Sequence, residues 1–150
     1  MKRYGLIGFP LTHSWSAGYF TQKFSSEQLS DRAYELFPIK SIRDFPTLLS
    51  EHKDISGLNV TTPYKVSVLE YLDRLSVEAR EAGAVNCIQF RENTGQIHLV
   101  GYNTDIYGFH LSLNPLLRSQ HTRALILGTG GASKAVSYVL KKLGIEHSFV

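Results

Sequence analysis

Gly57-Leu58-Asn59-Val60-Thr61-Thr62-Pro63-Tyr64-Lys65 decides how the rest of the chain is read. A short apolar run of strand length passes into a Thr-Thr-Pro loop and then into a segment with helical spacing. Asn59 and Thr61 alternate with Leu58 and Val60, so both point to the same side of the strand as it leaves the sheet. In open α/β sheets, functional side chains gather at this carboxyl end of the strands. Lys65 follows at the first helical turn. A lone lysine is ordinarily a solvated surface charge, and only its placement beside Asn59 and Thr61 makes it a candidate.

Outward from this stretch the same succession recurs. Strands are expected at Tyr4 to Phe9, Ala33 to Leu36, Leu58 to Val60, Val85 to Phe90, Ile97 to Val100 and Ala124 to Leu127. The spacing of apolar residues predicts helices over Ser16 to Ser26, Ile42 to His52, Lys65 to Leu72, Ser76 to Ala82, Ile106 to Leu117 and Ala132 to Leu143. Such alternation predicts the α/β class, with a mainly parallel sheet covered by helices on its faces. Glu92-Asn93-Thr94-Gly95 reads as a hairpin turn, since Asn and Gly tolerate positive φ. Pro115, the polar stretch from Arg118 to Thr122 and the fresh apolar run Ala124 to Leu127 mark a boundary. One domain is expected over residues 1–117 and the start of a second over 118–150. The second piece is too short to bury its own helix and sheet, so it reads as cut short.

Composition excludes several function classes. The 150 residues are 43% hydrophobic, with 16 Lys and Arg against 13 Asp and Glu, for a formal charge of +3. The basic residues are scattered singly or in pairs such as Lys141 and Lys142, without the stripe that follows a phosphate backbone, so no nucleic-acid partner is expected. Cys87 is the only cysteine, so no disulfide framework is possible; it reads as a small buried hydrophobe in a reducing, cytoplasmic setting, and no metal-ligand spacing is present. Met1-Lys2-Arg3 imitates the charged start of a signal peptide, but Pro10 and His13 interrupt the apolar run, which reads instead as a first strand. No stretch approaches the ~20 apolar residues of a membrane helix.

Four further motifs carry polar residues at element ends. In Gly8-Phe9-Pro10-Leu11-Thr12-His13-Ser14-Trp15-Ser16 a strand ends and a helix starts, so the Ser14 and Ser16 hydroxyls with free backbone N–H groups suit a carboxylate; the plain alternative is a serine cap. Gly83-Ala84-Val85-Asn86-Cys87 allows close backbone approach and offers Asn86 as donor and acceptor. In Gly101-Tyr102-Asn103-Thr104-Asp105-Ile106-Tyr107-Gly108, Thr104 or Asp105 is expected to cap the following helix. An Asp held at a helix start also suits a group that pairs with a lysine across a cleft. Leu125-Ile126-Leu127-Gly128-Thr129-Gly130-Gly131-Ala132-Ser133 is a strand, a glycine turn and a helix start. It approximates a dinucleotide-binding turn, with Ser133 at the third position of the pattern.

The series GFPLTHSWS, GLNVTTPYK, GAVNC, GYNTD and GTGGAS, in that order, resembles the shikimate dehydrogenase family across essentially all of the chain. The resemblance implies a three-layer substrate-binding domain followed by a Rossmann-like nucleotide-binding domain. It further implies NADPH-dependent reduction of 3-dehydroshikimate to shikimate in the chorismate pathway to aromatic amino acids, by a monomer or homodimer without a metal. By that similarity Ser14, Ser16 and Thr61 bind the substrate carboxylate, and Asn59, Asn86 and Asp105 hold ring hydroxyls. Lys65 and Asp105 form the catalytic pair, and Gly128, Gly130, Gly131, Ala132 and Ser133 face NADP. Where the family usually has Ser-Pro-x-x-His-Asn, this chain has Ser16-Ala17-Gly18-Tyr19-Phe20, and Cys87 stands where Thr is usual. The family continues through a complete nucleotide-binding domain and a C-terminal helix that brings a glutamine to the substrate site. An NAD-using quinate/shikimate dehydrogenase, and a shikimate-binding module without catalysis, are the alternative readings.

Overall fold

Apolar side chains on both faces of the first strand decide how the layers form. In β1 (Lys2–Gly8) the neighbours Leu6 and Ile7 are both buried but belong to different clusters. Leu6 joins Leu11 and Tyr34 beneath α1 (Ser16–Ser26), where Ala17, Phe20 and Phe24 pack. Ile7 joins the main core on the opposite face with Phe45, Val60, Val68, Ala79 and Val85. The computed structural model describes all of Met1–Val150.

The chain continues through β2 (Arg32–Pro38), α2 (Phe45–Glu51), β3 (Ile55–Val60), β4 (Arg74–Leu75), α3 (Val77–Ala82), β5 (Cys87–Asn93), β6 (Gln96–Tyr102) and α4 (Thr104–Leu113). These strands form one six-stranded sheet in the order β2-β1-β3-β5-β6-β4. β1 is parallel to both β2 and β3, and β4 is parallel to β6, whereas β5 runs antiparallel to β3 and β6. The sheet is thus mainly parallel, with α1 on one face and α2 and α3 on the other. A second, two-stranded parallel sheet follows, built from β7 (Arg123–Ile126) and β8 (Glu146–Phe149) across α5 (Gly131–Lys142). Ile106 of α4 packs on Ala135 and Val139 of α5, which joins this unit to the first.

Five local expectations need correction. The helix expected over Lys65 to Leu72 is a short 3-10 helix, Ser67–Tyr71, and Lys65 precedes it in a turn. The Lys65 carbonyl accepts the Val85 N–H at 2.7 Å, a tertiary bond that removes it from any helical ladder. The cap of α4 is Asn103, not Thr104 or Asp105: its Oδ1 accepts the Asp105 N–H at 3.1 Å, while its Nδ2 donates to the Ala84 carbonyl at 3.0 Å. In the β5–β6 hairpin the positive φ values fall on Thr94 and Gly95, one position later than Asn93. The expected helix Ile42 to His52 begins instead as a 3-10 turn, Ile42–Asp44, closed by a Ser41–Asp44 capping box. Ile106 to Leu117 is α4 followed by a 3-10 turn that starts at Asn114, one residue before Pro115. No helix is long and apolar enough to cross a membrane.

Candidate functional site

The carboxyl ends of β1 and β3 open into a cleft of about 490 Å³. Ser14, Ser16, Asn59, Thr61, Lys65 and Asn86 all line it, although they lie on three separate stretches of the chain. The β1–α1 loop supplies the serines. Ser14 Oγ accepts the Ser16 N–H at 3.4 Å, and Ser16 is the first residue of α1, so both hydroxyls stand at a helix start. Thr61 is fixed from its backbone, whose N–H donates to the Ile7 carbonyl at 2.9 Å. His13, Trp15 and Phe20 also line the cleft; no sequence signal separated them from ordinary loop and helix residues. A larger groove of about 960 Å³ runs along the sheet face and meets the cleft at Phe20 and Asn59.

At one end of the cleft Lys65 and Asp105 meet, although 40 residues separate them: Lys65 Nζ donates to Asp105 Oδ2 at 2.7 Å. Asp105 sits in the first turn of α4, where the helix N-terminus favours a carboxylate. Its other oxygen accepts from Asn86 Nδ2 at 2.8 Å. Asn86 in turn locks the start of α4, because its Oδ1 accepts the Thr104 N–H at 2.8 Å and the Thr104 O–H at 3.1 Å. The lysine side chain is 17% exposed and the aspartate 36%; Lys65 lines the cleft itself, and Asp105 stands behind it as the partner of its ammonium. An ammonium held by one carboxylate oxygen keeps two further N–H donors for a ligand.

Two residues that the sequence did not single out complete the site. Tyr34 donates its O–H to Asn59 Oδ1 at 2.8 Å, and burial pushes its phenol up to about 12, partly opposed by the nearby Ser16 hydroxyl. Nothing local in the sequence pairs position 34 with position 59. Asn103 fixes Asp105 as the cap of α4; asparagine's strong N-cap preference is the signal by which it was findable. Cys87 is half-buried and burial pushes its thiol up, in keeping with a small packing residue.

The glycine turn lies beside the lysine. Gly128 has φ +90°, and Gly130 is the N-cap of α5 with no side chain to satisfy the helix start. The N–H groups of Gly131, Ala132 and Ser133 stand ahead of the first helical bond, from Lys134 N–H to the Gly130 carbonyl at 3.1 Å. Residues 127–130 and Ala132 are exposed and Gly131 and Ser133 half-buried, so an anion can approach this helix start. The turn therefore fits a dinucleotide's pyrophosphate.

Comparison with known proteins gives a consistent result. Residues 6–88, more than half of the chain, match the shikimate dehydrogenase substrate binding domain. The chain is 40% identical over 153 aligned positions to the shikimate dehydrogenase (NADP(+)) of Clostridium beijerinckii, covering all of this chain and 54% of that protein. Its fold matches the crystal structure of shikimate dehydrogenase 1 from Peptoclostridium difficile with a TM-score of 0.85 and 40% identity, over 99% of this chain and 56% of that one. It also matches the Thermus thermophilus enzyme in complex with NADP(H) and shikimate, with a TM-score of 0.82 and 32% identity, over 99% and 55% of the two chains. The chain spans about half the length of the curated relatives it matches. With the family's substrate-binding domain matched and the fold shared along its whole length, the chain belongs to the shikimate dehydrogenase family.

Proposed function

We propose that this chain forms the substrate-binding and proton-donating part of an NADP-dependent shikimate dehydrogenase, which reduces 3-dehydroshikimate to shikimate. The observation that carries the reading is the 2.7 Å pair of Lys65 and Asp105 at the end of a cleft lined by Ser14, Ser16, Asn59, Thr61 and Asn86. Residues 1–117 make the substrate-binding unit and residues 118–150 begin the nucleotide-binding one.

In this reading the hydroxyls of Ser14, Ser16 and Thr61 take the substrate carboxylate. Asn59, Asn86 and Asp105 hold ring hydroxyls. The backbone N–H groups of Gly130, Gly131, Ala132 and Ser133 hold the pyrophosphate of NADP, which when bound supplies or accepts hydride; Gly128, whose own N–H donates to the Val150 carbonyl at 2.7 Å, faces the cofactor through the close approach that its positive φ allows. Lys65 stabilises negative charge on the ketone oxygen through its ammonium and delivers a proton there. Asp105 keeps Nζ aimed into the cleft through Oδ2, while Oδ1, bound to Asn86, stays fixed.

The test is a calorimetric titration of the protein with shikimate, followed by the nicotinamide absorbance of its mixture with shikimate and NADP. Saturable shikimate binding that weakens at least about tenfold in Thr61→Ala supports the assignment. Failure to bind shikimate, or binding indifferent to Thr61→Ala and Ser16→Ala, overturns it.

A further inference from the structure

Tyr34 lies one residue behind the substrate cleft, on β2, and is 8% exposed. Its ring stacks on Phe20 of α1 with centroids 4.4 Å apart and planes 13° from parallel, so the phenol has little freedom to swing. The Phe20 ring lines the cleft itself. The phenol O–H donates to Asn59 Oδ1 at 2.8 Å, which occupies the acceptor end of that amide. The donor end is differently placed. Asn59 Nδ2 has only a long contact, 3.5 Å, to the Asn86 carbonyl, and that carbonyl already accepts the Val60 N–H at 2.9 Å. Turning the amide over would set Oδ1 against the Asn86 carbonyl, acceptor against acceptor, and would leave the phenol O–H only the nearby Ser16 hydroxyl to turn to.

We propose that Tyr34 is a positioning residue that fixes the Asn59 amide with its N–H donors available to the cleft, so that Asn59 selects a ligand oxygen acting as acceptor. The inference rests on the assignment of this cleft to shikimate. It adds that the hydroxyl contacted by Asn59 receives a hydrogen bond there and gives its own proton elsewhere. It also explains why a polar tyrosine is buried beneath the serine loop: the phenol's single donor is spent on one oxygen of one binding side chain. The β2–β1–β3 strand order makes the contact possible, because β1 carries Leu6 between Leu36 and Asn59 and leaves the longer Tyr34 to reach across.

The test is a double-mutant cycle on the full chain: wild type, Tyr34→Phe, Asn59→Ala and the double variant, each titrated calorimetrically with shikimate. The side-chain amide pairs of Asn59 and Asn86 are followed in ¹H–¹⁵N spectra of the ligand-free proteins. Tyr34→Phe is expected to raise the dissociation constant for shikimate about tenfold and to have no further effect once Asn59 is alanine. The Asn59 amide pair should move in Tyr34→Phe while the Asn86 pair stays in place. Asn59→Asp, which keeps an acceptor for the phenol but has no N–H, should bind as weakly as Asn59→Ala; this variant decides the matter if Tyr34→Phe does not fold. Wild-type affinity in Tyr34→Phe or in Asn59→Asp overturns the proposal, and so does an equal loss from Tyr34→Phe in both backgrounds. Absence of shikimate binding by the wild type overturns the functional reading instead. The amide spectra then still decide the positioning role, and an Asn59 pair unmoved by Tyr34→Phe overturns it.

Discussion

Gly131 and Lys65 touch where the glycine turn meets the cleft: a methyl group built on Gly131 would lie 2.5 Å from Lys65 Cβ and 3.1 Å from its Cδ. The first residue of α5 thus rests on the stem of the lysine whose ammonium holds Asp105. The absence of a side chain at 131 sets how near the two units approach.

Gly131→Ala must therefore displace either the lysine stem or the start of α5. Overpacking of this kind costs about 1–3 kcal/mol, which for a chain of this size corresponds to a fall of about 3–10 °C in the unfolding midpoint. Differential scanning calorimetry checks it, and shikimate titration should show weaker binding in the same variant. An unchanged midpoint with unchanged affinity would mean that the two segments are not in contact in solution.

Removing the ammonium should separate chemistry from binding. Lys65→Ala is expected to lower turnover of 3-dehydroshikimate with NADPH by about 10²- to 10⁴-fold. Shikimate affinity should change by less than about tenfold, because the carboxylate site proposed at Ser14, Ser16 and Thr61 is untouched. Steady-state kinetics beside a binding titration reads both quantities. Equal losses in the two would assign Lys65 to binding alone.

Asn103 carries two tertiary duties with one amide, as the cap of α4 and as the partner of the Ala84 carbonyl. It is also buried, at 7% exposure. Asn103→Ala leaves both the Asp105 N–H and the Ala84 carbonyl without partners, at about 1–3 kcal/mol. Urea unfolding should show this as a lower midpoint. Asn103→Ser, which restores a neutral cap acceptor only, should recover part of the loss.

The raised phenol of Tyr34 gives a pH dependence of known sign. Between the ordinary value of 10.0 and about 12 the unfolded chain has released this proton while the native chain still holds it. The native state then binds more protons, so stability falls as pH rises through that interval and the contribution is fully present below it. Chemical unfolding at a series of alkaline pH values should show a shallower decline in Tyr34→Phe than in the wild type. Identical slopes would mean that Tyr34 ionises in the native protein as it does in the unfolded chain.

Much of the local structure was legible along the chain. The extent of α1 agrees with its apolar spacing, α5 differs from its expected span by one residue at each end, and the hairpin at Thr94-Gly95 follows from turn chemistry. Such features are written in neighbouring residues, so periodicity and caps suffice. The segment after Lys65 was misread because its apolar residues fit a helical period while its backbone carbonyl is taken by Val85. The two-residue strand β4 carries no sequence signal at all, since it exists only because β6 passes beside it.

The candidate site divides in the same way. Strand, loop and helix succession is a local property of the chain, so the sequence alone brought Ser14, Ser16, Asn59, Thr61, Asn86 and Asp105 to the ends of elements, while the turn at Lys65 and the cap at Asn103 rest on tertiary bonds to Val85 and Ala84. Which of them meet is set by how the elements pack: Lys65 with Asp105, Asn86 with Thr104, Tyr34 with Asn59, and Gly131 against the lysine stem. Those meetings depend on strand order and on how α4 and α5 pack. Both are settled by the burial of two apolar faces at once, which no stretch of sequence contains on its own.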